Sequence, residues 1–521
     1  MIRDATIRAV VGEGTVGDRR EPDVAESSPP AGQPPEVGPD APPLTPPAGQ
    51  PRQDLTRGSI ARHIITLALP SAAASLLQFS YHFVDMMWLG RIGPSAIAVV
   101  AAYHFFFMVF VFFNQIVGLG SITLIARTYG AGDLEGCRRY IGQTFSFKLV
   151  ISLVVMALGL VLQRWMWTAF GSEPDVIAQG LPYTTIMFSV IPIYFSAFTL
   201  RTAFSSIGDM QTLLRISAVS TGLNLVLDPF FIFERVFIGP FPALGLPDPL
   251  LTLPGLGMGV AGAAWASFGA ILVLFLLGQY YFMTGRTFLK VTPRHFFSWD
   301  WRTVWQVLRI GTPPAVGENL TSIAQIAVGR VMNTYGTAVF AASGVMGMAF
   351  GLVFVPVGGI WQAVMTLVGQ NLGAGKPQRA ERSVWTAAGM TLGLLVVVLG
   401  AAALWTPGLV RLFVPGTDEV SLNTLLWGVR FLRVALLMML FMGLGFVFGA
   451  AFWGSGDTKP PMWATVVTTY GVQLPIVLLG ALWLKLEDPT FIVWAWVVSQ
   501  LLNTVILYVL FKRGRWKTVK V

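Results

Sequence analysis

Residues 127–133 read RTYGAGD, and residues 370–376 read QNLGAGK. Gly130 and Gly373 stand 243 positions apart. The same offset of 243 links Pro70 to Pro313 and Gly93 to Gly336, and each Pro–Gly pair brackets an apolar run. A further marker, FSSIGDM at 204–210, matches FWGSGDT at 452–458 with an offset of 248. Self-similarity at a fixed offset is the signature of a duplicated unit. The chain therefore reads as two units of the same orientation, one after the other.

Composition says what the unit is made of. The 521 residues are 54% hydrophobic and 12% charged, whereas soluble domains carry about 25% charge. About a dozen segments reach the roughly 20 apolar residues that a bilayer-spanning helix needs. Continuous apolar runs, rather than alternating ten-residue strands, select helices over a closed barrel. Helices are expected near 61–89, 97–126, 138–163, 176–201, 213–235, 257–283, 307–333, 339–368, 383–405, 424–450, 462–484 and 490–511. The expected fold is an all-α integral membrane protein with about twelve transmembrane helices in two six-helix parallel repeats. Parallel repeats of this size are a transporter arrangement, with a cavity between halves near the membrane midplane. The expected organisation is a disordered Pro-rich tail at 1–57, an N-terminal lobe at 58–283, a linker at 284–303 and a C-terminal lobe at 304–521 with a short basic tail. The first segment holds PPAGQP twice, at Pro29–Pro34 and Pro46–Pro51. It is too poor in apolar residues to fold, and it lacks the basic-then-apolar start of a cleavable signal.

The chain has 35 Lys and Arg against 26 Asp and Glu, a net +9. In a membrane chain, an uneven loop distribution explains that excess better than a nucleic-acid partner does. The loops after the second, sixth and eighth spans carry Arg127, Arg138, Arg139, then Arg286, Lys290, Arg294, Arg302, then Lys376, Arg379, Arg382. Alternate connections, at 172–175, Pro247–Pro249, 417–420 and 485–490, are mainly acidic or neutral. The positive-inside rule then puts both termini in the cytoplasm, in a plasma (bacterial inner) membrane. The single cysteine, Cys137, excludes an internal disulfide and a thiolate metal cluster, and is expected as an inert thiol in a polar connection. No nucleotide loop, HExxH, zinc pattern or GxSxG elbow occurs. GLGMG at 255–259 reads as a loop lead-in, because no strand is expected before it. The expected partners are a small organic substrate and membrane lipids, with no cofactor and no enzyme activity; a monomer is expected. Energy then comes from an ion gradient: one charge crossing 100 mV supplies about 2.3 kcal/mol.

A carboxylate inside a spanning helix costs roughly 2.5–3.5 kcal/mol on insertion scales, so such residues are rare and usually functional. Three candidates stand out: Asp85 in YHFVDMMWLG, Asp228 in GLNLVLDPFF and Glu318 in AVGENLTS. By the topology above, Asp85 and Asp228 share a depth. Asn224 precedes Asp228 by four residues and lies on the same helix face. This oxygen-rich patch suits either a proton shared between the acids or Na⁺, with Ser267 supplying a hydroxyl. A structural hydrogen-bonding role for each acid is the alternative. Pro229 removes a backbone N–H and can loosen its helix. By the two offsets, Asp85 corresponds to Val328, and Asn224 and Asp228 to Val472 and Ile476. The acids thus belong to one repeat only. Gln78, His82, Asn114 and Glu318 are candidates for a substrate cavity. Glu318 is expected near the cytoplasmic end of the seventh span, and His82, three residues before Asp85, can face it. Arg330, Arg430 and Arg433 lie near outer helix ends, where long side chains snorkel.

From about Ile60 to Phe511 the chain resembles the multidrug and toxic compound extrusion (MATE) family. The carriers are LALPSAAASLLQFSYHFVDMMWLGRIGPSAIA, LIARTYGAGD, FSSIGDMQTLLRISAVSTGLNLVLDPFFIF, GVAGAAWAS, NTYGTAVFAASGV and LVGQNLGAGKP. The pattern is similar to the branch named after DNA-damage-inducible protein F. In that branch an acid closes the first span and an Asn-x-x-x-Asp pair lies on the fifth, which map onto Asp85, Asn224 and Asp228. Its sixth-span hydroxyl position maps onto Ser267, where threonine is familiar. A second branch uses acids on the seventh and tenth spans. Glu318 resembles the former, but the tenth span, LLMMLFMGLGFVFGAAF, has no acid. The resemblance implies a secondary antiporter that exports amphipathic, cationic organic compounds or drugs in exchange for H⁺ or Na⁺ by alternating access. A lipid-linked saccharide flippase of the same superfamily is the alternative, disfavoured by few basic residues at membrane depth. A membrane enzyme or receptor is a third, without a nucleophile or metal constellation to support it.

Overall fold

The computed structural model describes residues 54–238 and 251–519, apart from Phe288, Phe297, Ser298, Pro415 and Thr417. Residues 1–53 of the expected tail, and the connection around Pro247–Pro249, lie outside the described residues. Among those described, twelve long helical segments succeed one another. They are α1 (Ile60–Ile92), α2 (Pro94–Ala131), α3 (Leu134–Ala169), α4 (Pro174–Ile207), α5 (Met210–Ile232) and α6 (Val260–Thr284) in the first half. The second half has α7 (Trp301–Thr334), α8 (Thr337–Gly373), α9 (Pro377–Leu404), α10 (Glu419–Ser455), α11 (Lys459–Trp483) and α12 (Thr490–Lys512). Ten of them are long and apolar enough to cross a membrane by length and composition. The two that are not, α5 and α7, carry Asn224, Asp228 and Glu318. α11 is broken by two π-helical stretches, Thr469–Gln473 and Leu479–Trp483.

Helices extend beyond the apolar runs because their ends are capped by polar and glycine residues. Asp133 and Asp209 accept from the N–H groups of Gly136 and Thr212 at the starts of α3 and α5. Gly132 and Gly375 (φ 82° and 69°), and Gly208 and Gly456 (φ 85° and 87°), close α2, α8, α4 and α10 in left-handed backbone. These pairs keep the 243 and 248 offsets, so the duplication is one of backbone geometry. Cys137 is not in a connection: it sits in the first turns of α3 and is fully buried. Residues 54–57 are also placed. Leu55 is buried in a core with α1, and Arg379 donates to the Arg57 and Gly58 carbonyls at 2.8 and 2.9 Å.

The halves join at one end. There, one apolar core mixes Leu67, Ile125, Leu200 and Phe204 with Ile360, Val364, Val368 and Phe452. At the opposite end the cores are separate: Leu89, Val99, Tyr103 and Phe188 in the first half, Val328, Val345, Phe431 and Met439 in the second. The sequence motifs are the fasteners of the joined end. A Cβ on Gly130 would run into the backbone of Gln370, and one on Gly373 into the backbone of Arg127. Gly311 likewise meets the backbone of Ile116, and Gly359 that of Ala68. Only residues without side-chain bulk let helix backbones approach this closely. Thr123 donates to the Trp453 carbonyl at 2.5 Å, and Thr366 to the Ser205 carbonyl at 3.0 Å. Arg127 donates to the Ser455 carbonyl at 2.9 Å, and Gln370 to that of Ser206 at 2.8 Å. Each half thus grips the other half's FSSIGDM or FWGSGDT turn with matching residues.

One expectation fails after α5. The helix stops at Ile232, and Arg235–Ile238 pairs antiparallel with Leu251–Pro254, registering Arg235 on Pro254. A strand does therefore precede GLGMG. The glycine segment still has no phosphate role, because its N–H groups are spent. Gly255, Leu256, Gly257, Met258 and Gly259 donate to the carbonyls of Glu234, Phe230, Phe233, Phe231 and Ile232. These are the orphan carbonyls of the α5 C-terminus. Gly255 and Gly262 are tight because a Cβ there would strike the Phe233 and Phe231 carbonyl oxygens.

Candidate functional site

Gln78, Tyr81 and Asp85 are spaced i, i+3 and i+7 on α1, so one helix face presents all three. They line a cavity of about 230 Å³ enclosed by α1, α2, α4, α5 and α6. Four tyrosines and two phenylalanines are among its lining residues. Tyr103 lies 5.3 Å from Tyr183 and stacks on Phe107 at 5.6 Å, and Phe107 meets Tyr194 at 5.3 Å.

Asp85 and Asp228 come together behind this wall, within hydrogen-bonding reach of one another. Asp85 is 7% exposed, and Asp228 and Asn224 are 0% and 1%. Asn224 Nδ2 donates to Asp228 Oδ1 at 3.1 Å, the one-turn contact that the spacing gives. Asp85 Oδ1 and Asp228 Oδ2 are buried and meet no hydrogen-bond donor. Like charge and burial disfavour ionisation of both acids, which suits the pair to a shared proton or a cation. A carboxylate pair with an amide supplies oxygen ligands suited to H⁺ or to a hard cation such as Na⁺. Ser267 also lines the cavity, and it shares a 2.5 Å hydrogen bond with Tyr81. Tyr81, which the sequence did not single out, thus joins Ser267 on the cavity wall that also carries Asp85. Pro229 lies inside α5, directly after Asp228.

The other candidates divide. Gln78 and His82 line the same cavity. Among the described residues, His82 has ring contacts with Tyr81 at 4.9 Å and His104 at 6.0 Å rather than a hydrogen bond to Asp85. Asn114 is not on this wall. It is buried in α2, with its Oδ1 lacking a donor. Glu318 is not near a helix end, because α7 begins at Trp301 and puts it at mid-helix. It lines a second cavity of about 400 Å³ with Thr321, Phe446, Gly449, Trp453, Gln500 and Asn503. Among the described residues no cluster of three or more His, Cys, Asp or Glu side chains occurs.

Two basic residues inside long apolar helices were missed. Arg201 is six residues inside the end of α4 and faces the first cavity, where it donates to Gln78 Oε1 at 2.6 Å. The expected helix ended at Arg201, which disguised it as a terminal charge. Lys148, on α3, is fully buried; its ammonium sits 4.5 Å from the Phe198 ring and has no hydrogen-bond acceptor. Its signal was a lone lysine in the run SFKLVISLVV.

Twelve helices in two interlocked repeats, with a polar pocket inside one of them, define a multi-pass membrane transporter rather than an enzyme. The MatE family profile matches residues 70–230 and 313–479, once per repeat and again offset by 243. The chain belongs to the MatE family. It is 25% identical over 441 residues to the probable multidrug resistance protein YoeA of Bacillus subtilis, covering 84% of this chain and 90% of that one. To the probable multidrug resistance protein YpnP of the same organism it is 24% identical over 470 residues, 90% and 98% of the two chains. Its fold matches a solved structure described as the outward-facing conformation of a multidrug resistance MATE family transporter. The TM-score is 0.78 at 21% identity, over 90% of this chain and 98% of that one.

Proposed function

We propose that the protein is a secondary antiporter exporting amphipathic, cationic organic compounds in exchange for H⁺ or Na⁺. The observation that carries this reading is the buried Asp85–Asp228 pair behind an aromatic cavity. When an ion occupies the pair, the cavity loses the negative charge that attracts an organic cation. When the ion leaves, the acids favour the organic cation again. Ion and substrate are then mutually antagonistic ligands of one half, the linkage an antiporter needs. Asn224 orients Asp228, and Ser267 acts through Tyr81. The Asn-x-x-x-Asp pattern fits the DNA-damage-inducible protein F branch, and the relatives' names support drugs as cargo.

The joined end carries Arg127, Arg139, Lys376 and Arg379, so the positive-inside rule assigns it to the cytoplasm, with both termini. The conformation is then outward-facing. Residues 58–283 and 304–521 are the lobes that rock against each other, and 284–303 is their linker. A saccharide flippase is the weaker reading, because its cargo needs a broad basic cavity and this one is about 230 Å³. The test is dye efflux from proteoliposomes with H⁺ and Na⁺ gradients imposed separately. Efflux driven by one gradient, and lost in both Asp85→Asn and Asp228→Asn, is expected. Undiminished gradient-driven efflux in both variants removes the pair from the mechanism.

A further inference from the structure

The segment before each repeat is held by the other lobe. Ahead of α7, the linker lies on α3 of the first lobe. Arg139 pairs with Asp300, Gln143 Oε1 accepts from the Asp300 N–H at 2.9 Å, and Arg138 donates to the Lys290 carbonyl at 2.9 Å. Ahead of α1, residues 54–58 lie on the turn between α8 and α9 of the second lobe. Lys376 Nζ donates to the Thr56 carbonyl and hydroxyl, both at 3.1 Å, and Arg379 donates to the Arg57 and Gly58 carbonyls. At the 243 offset, 54–58 match 297–301, the end of the linker. The two clamps differ in one respect. The linker is covalently joined to both lobes and cannot leave. Residues 54–58 are joined directly to α1 alone, and hydrogen bonds and one side chain hold them on the second lobe. That side chain is Leu55. It is 1% exposed within the apolar core that both lobes share, with its Cδ1 3.1 Å from where a Cβ on Gly208 would stand. Gly208 closes the turn that Gln370 of the second lobe grips through the Ser206 carbonyl. Leu55 is thus an apolar wedge at the seam, held there by its removal from water.

We propose that residues 54–58 are a releasable latch on the joined end: docked, they hold the two lobes closed there, and undocked, they free that end to open. The inference rests on the reading that the lobes rock against each other, and it adds to that reading a segment that sets how often they do. The first lobe supplies the tongue, and the second supplies its receptor, Lys376 and Arg379. Both cations donate to neutral oxygens of the segment, and among the described residues neither is in an ion pair. Such bonds exchange for water at modest net cost, so the latch is held mainly by Leu55 and can let go. A latch that binds the closed arrangement and not the open one stabilises closure by its own docking free energy.

The experiment reads the joined end apart from transport. Gln211 and Lys459 are exposed, stand in the first turns of α5 and α11, and correspond at the 248 offset. In the full-length protein carrying Cys137→Ala, nitroxides on Gln211→Cys and Lys459→Cys report the distance between the lobes in nanodiscs by double electron–electron resonance. Leu55→Ser and Arg379→Gln are each expected to raise the ratio of long to short distances about tenfold, the scale of one buried leucine or two hydrogen bonds lost. The two substitutions lie on opposite lobes, so one decides the matter if the other fails to fold. An unchanged distribution in a folded variant overturns the inference. In a second arm, Thr56→Cys and Lys376→Cys, again with Cys137→Ala, are joined by a reductant-cleavable bis-methanethiosulfonate. Gradient-driven dye efflux is expected to fall about tenfold on cross-linking and to return on reduction. Efflux that the cross-link leaves unchanged also overturns the inference. If the distances lengthen as expected but the protein without the cross-link moves no dye under either gradient, the latch stands and the antiport reading falls.

Discussion

The two repeats build the same cavity from corresponding positions and fill it differently. Ala74 and Gln78 of the first cavity correspond to Gly317 and Thr321 of the second; Tyr194, Ala197, Phe198 and Arg201 correspond to Met442, Gly445, Phe446 and Gly449. Backbone and position were duplicated, and chemistry was not. The first cavity is lined by Asp85, with Asp228 behind it, by a guanidinium and by four tyrosines. The second holds one acid, Glu318, amid glycines and amides. The lesson is that a duplicated backbone need not carry duplicated chemistry; on the antiport reading proposed above, the first lobe alone binds the coupling ion and the other supplies shape and a closing surface.

The largest expected effect breaks this comparison at its charged centre. Asp85→Asn and Asp228→Asn are each expected to lower gradient-driven efflux by about tenfold or more, in line with the roughly 1–3 kcal/mol that couples linked sites. Glu318→Gln is expected to keep most activity. Loss of efflux in the Glu318 variant equal to that in the Asp variants makes the lobes equivalent after all.

Next come the fasteners, where the repeats should behave alike. Gly130→Ala and Gly373→Ala each push a methyl into the other lobe's backbone, at Gln370 and Arg127. Overpacking of this kind costs about 1–3 kcal/mol, and it loosens the joined end. Cys137, the only cysteine and buried in the shared core, reports the opening. Both variants are expected to speed its reaction with a membrane-permeant maleimide. A response confined to one of them would show that the lobes do not share the contact equally.

A third effect belongs to the first lobe alone. Gly255→Val and Gly262→Leu drive a side chain against the carbonyls that end α5. Each is expected to lower the melting temperature in detergent, at about 1–3 kcal/mol of strain. Gly222→Ala, where a Cβ meets open space, serves as the unaffected control.

The smallest effect concerns the linker. Asp300 caps α7, and its carboxyl is held down at about 2 by the Thr303 hydroxyl, the Arg139 guanidinium and the Arg302 N–H. A folded value below the unfolded one, about 3.9, means stabilisation present above that pH and lost as pH falls through about 2. A small loss of melting temperature between pH 4 and 2, absent in Asp300→Asn, is expected.

Much of this was legible in the sequence, because membrane helices write themselves as apolar runs and duplication writes itself as offsets. Pro70, Gly93, Gly130 and their partners located the repeats before any coordinate. Asp85, Asn224 and Asp228 stood out because acids are rare in such runs. What was hidden was hidden for physical reasons. Arg201 looked terminal because α4 continues through polar Ser205 and Ser206, which hydrophobicity does not count as helix. Lys148 was a single charge in a long span. Tyr81 was one aromatic among many, and only its contact with Ser267 distinguishes it. The strand before GLGMG was missed because it is four residues long and carries no strong periodicity.

That glycine segment has a mechanical consequence. Its five N–H groups lock the carbonyls of 230–234 to the entrance of α6, so the last turn of α5 and the hairpin beyond it form one stiff paddle. Pro229 has no N–H to return to the Leu225 carbonyl, which leaves the weakest rung of the helix immediately before that paddle. Any bend in α5 therefore concentrates at a pivot beside Asp228. On the antiport reading, an ion that ties Asp228 to Asp85 is a bolt through the pivot, fixing the angle of the paddle while it is bound and freeing it on release.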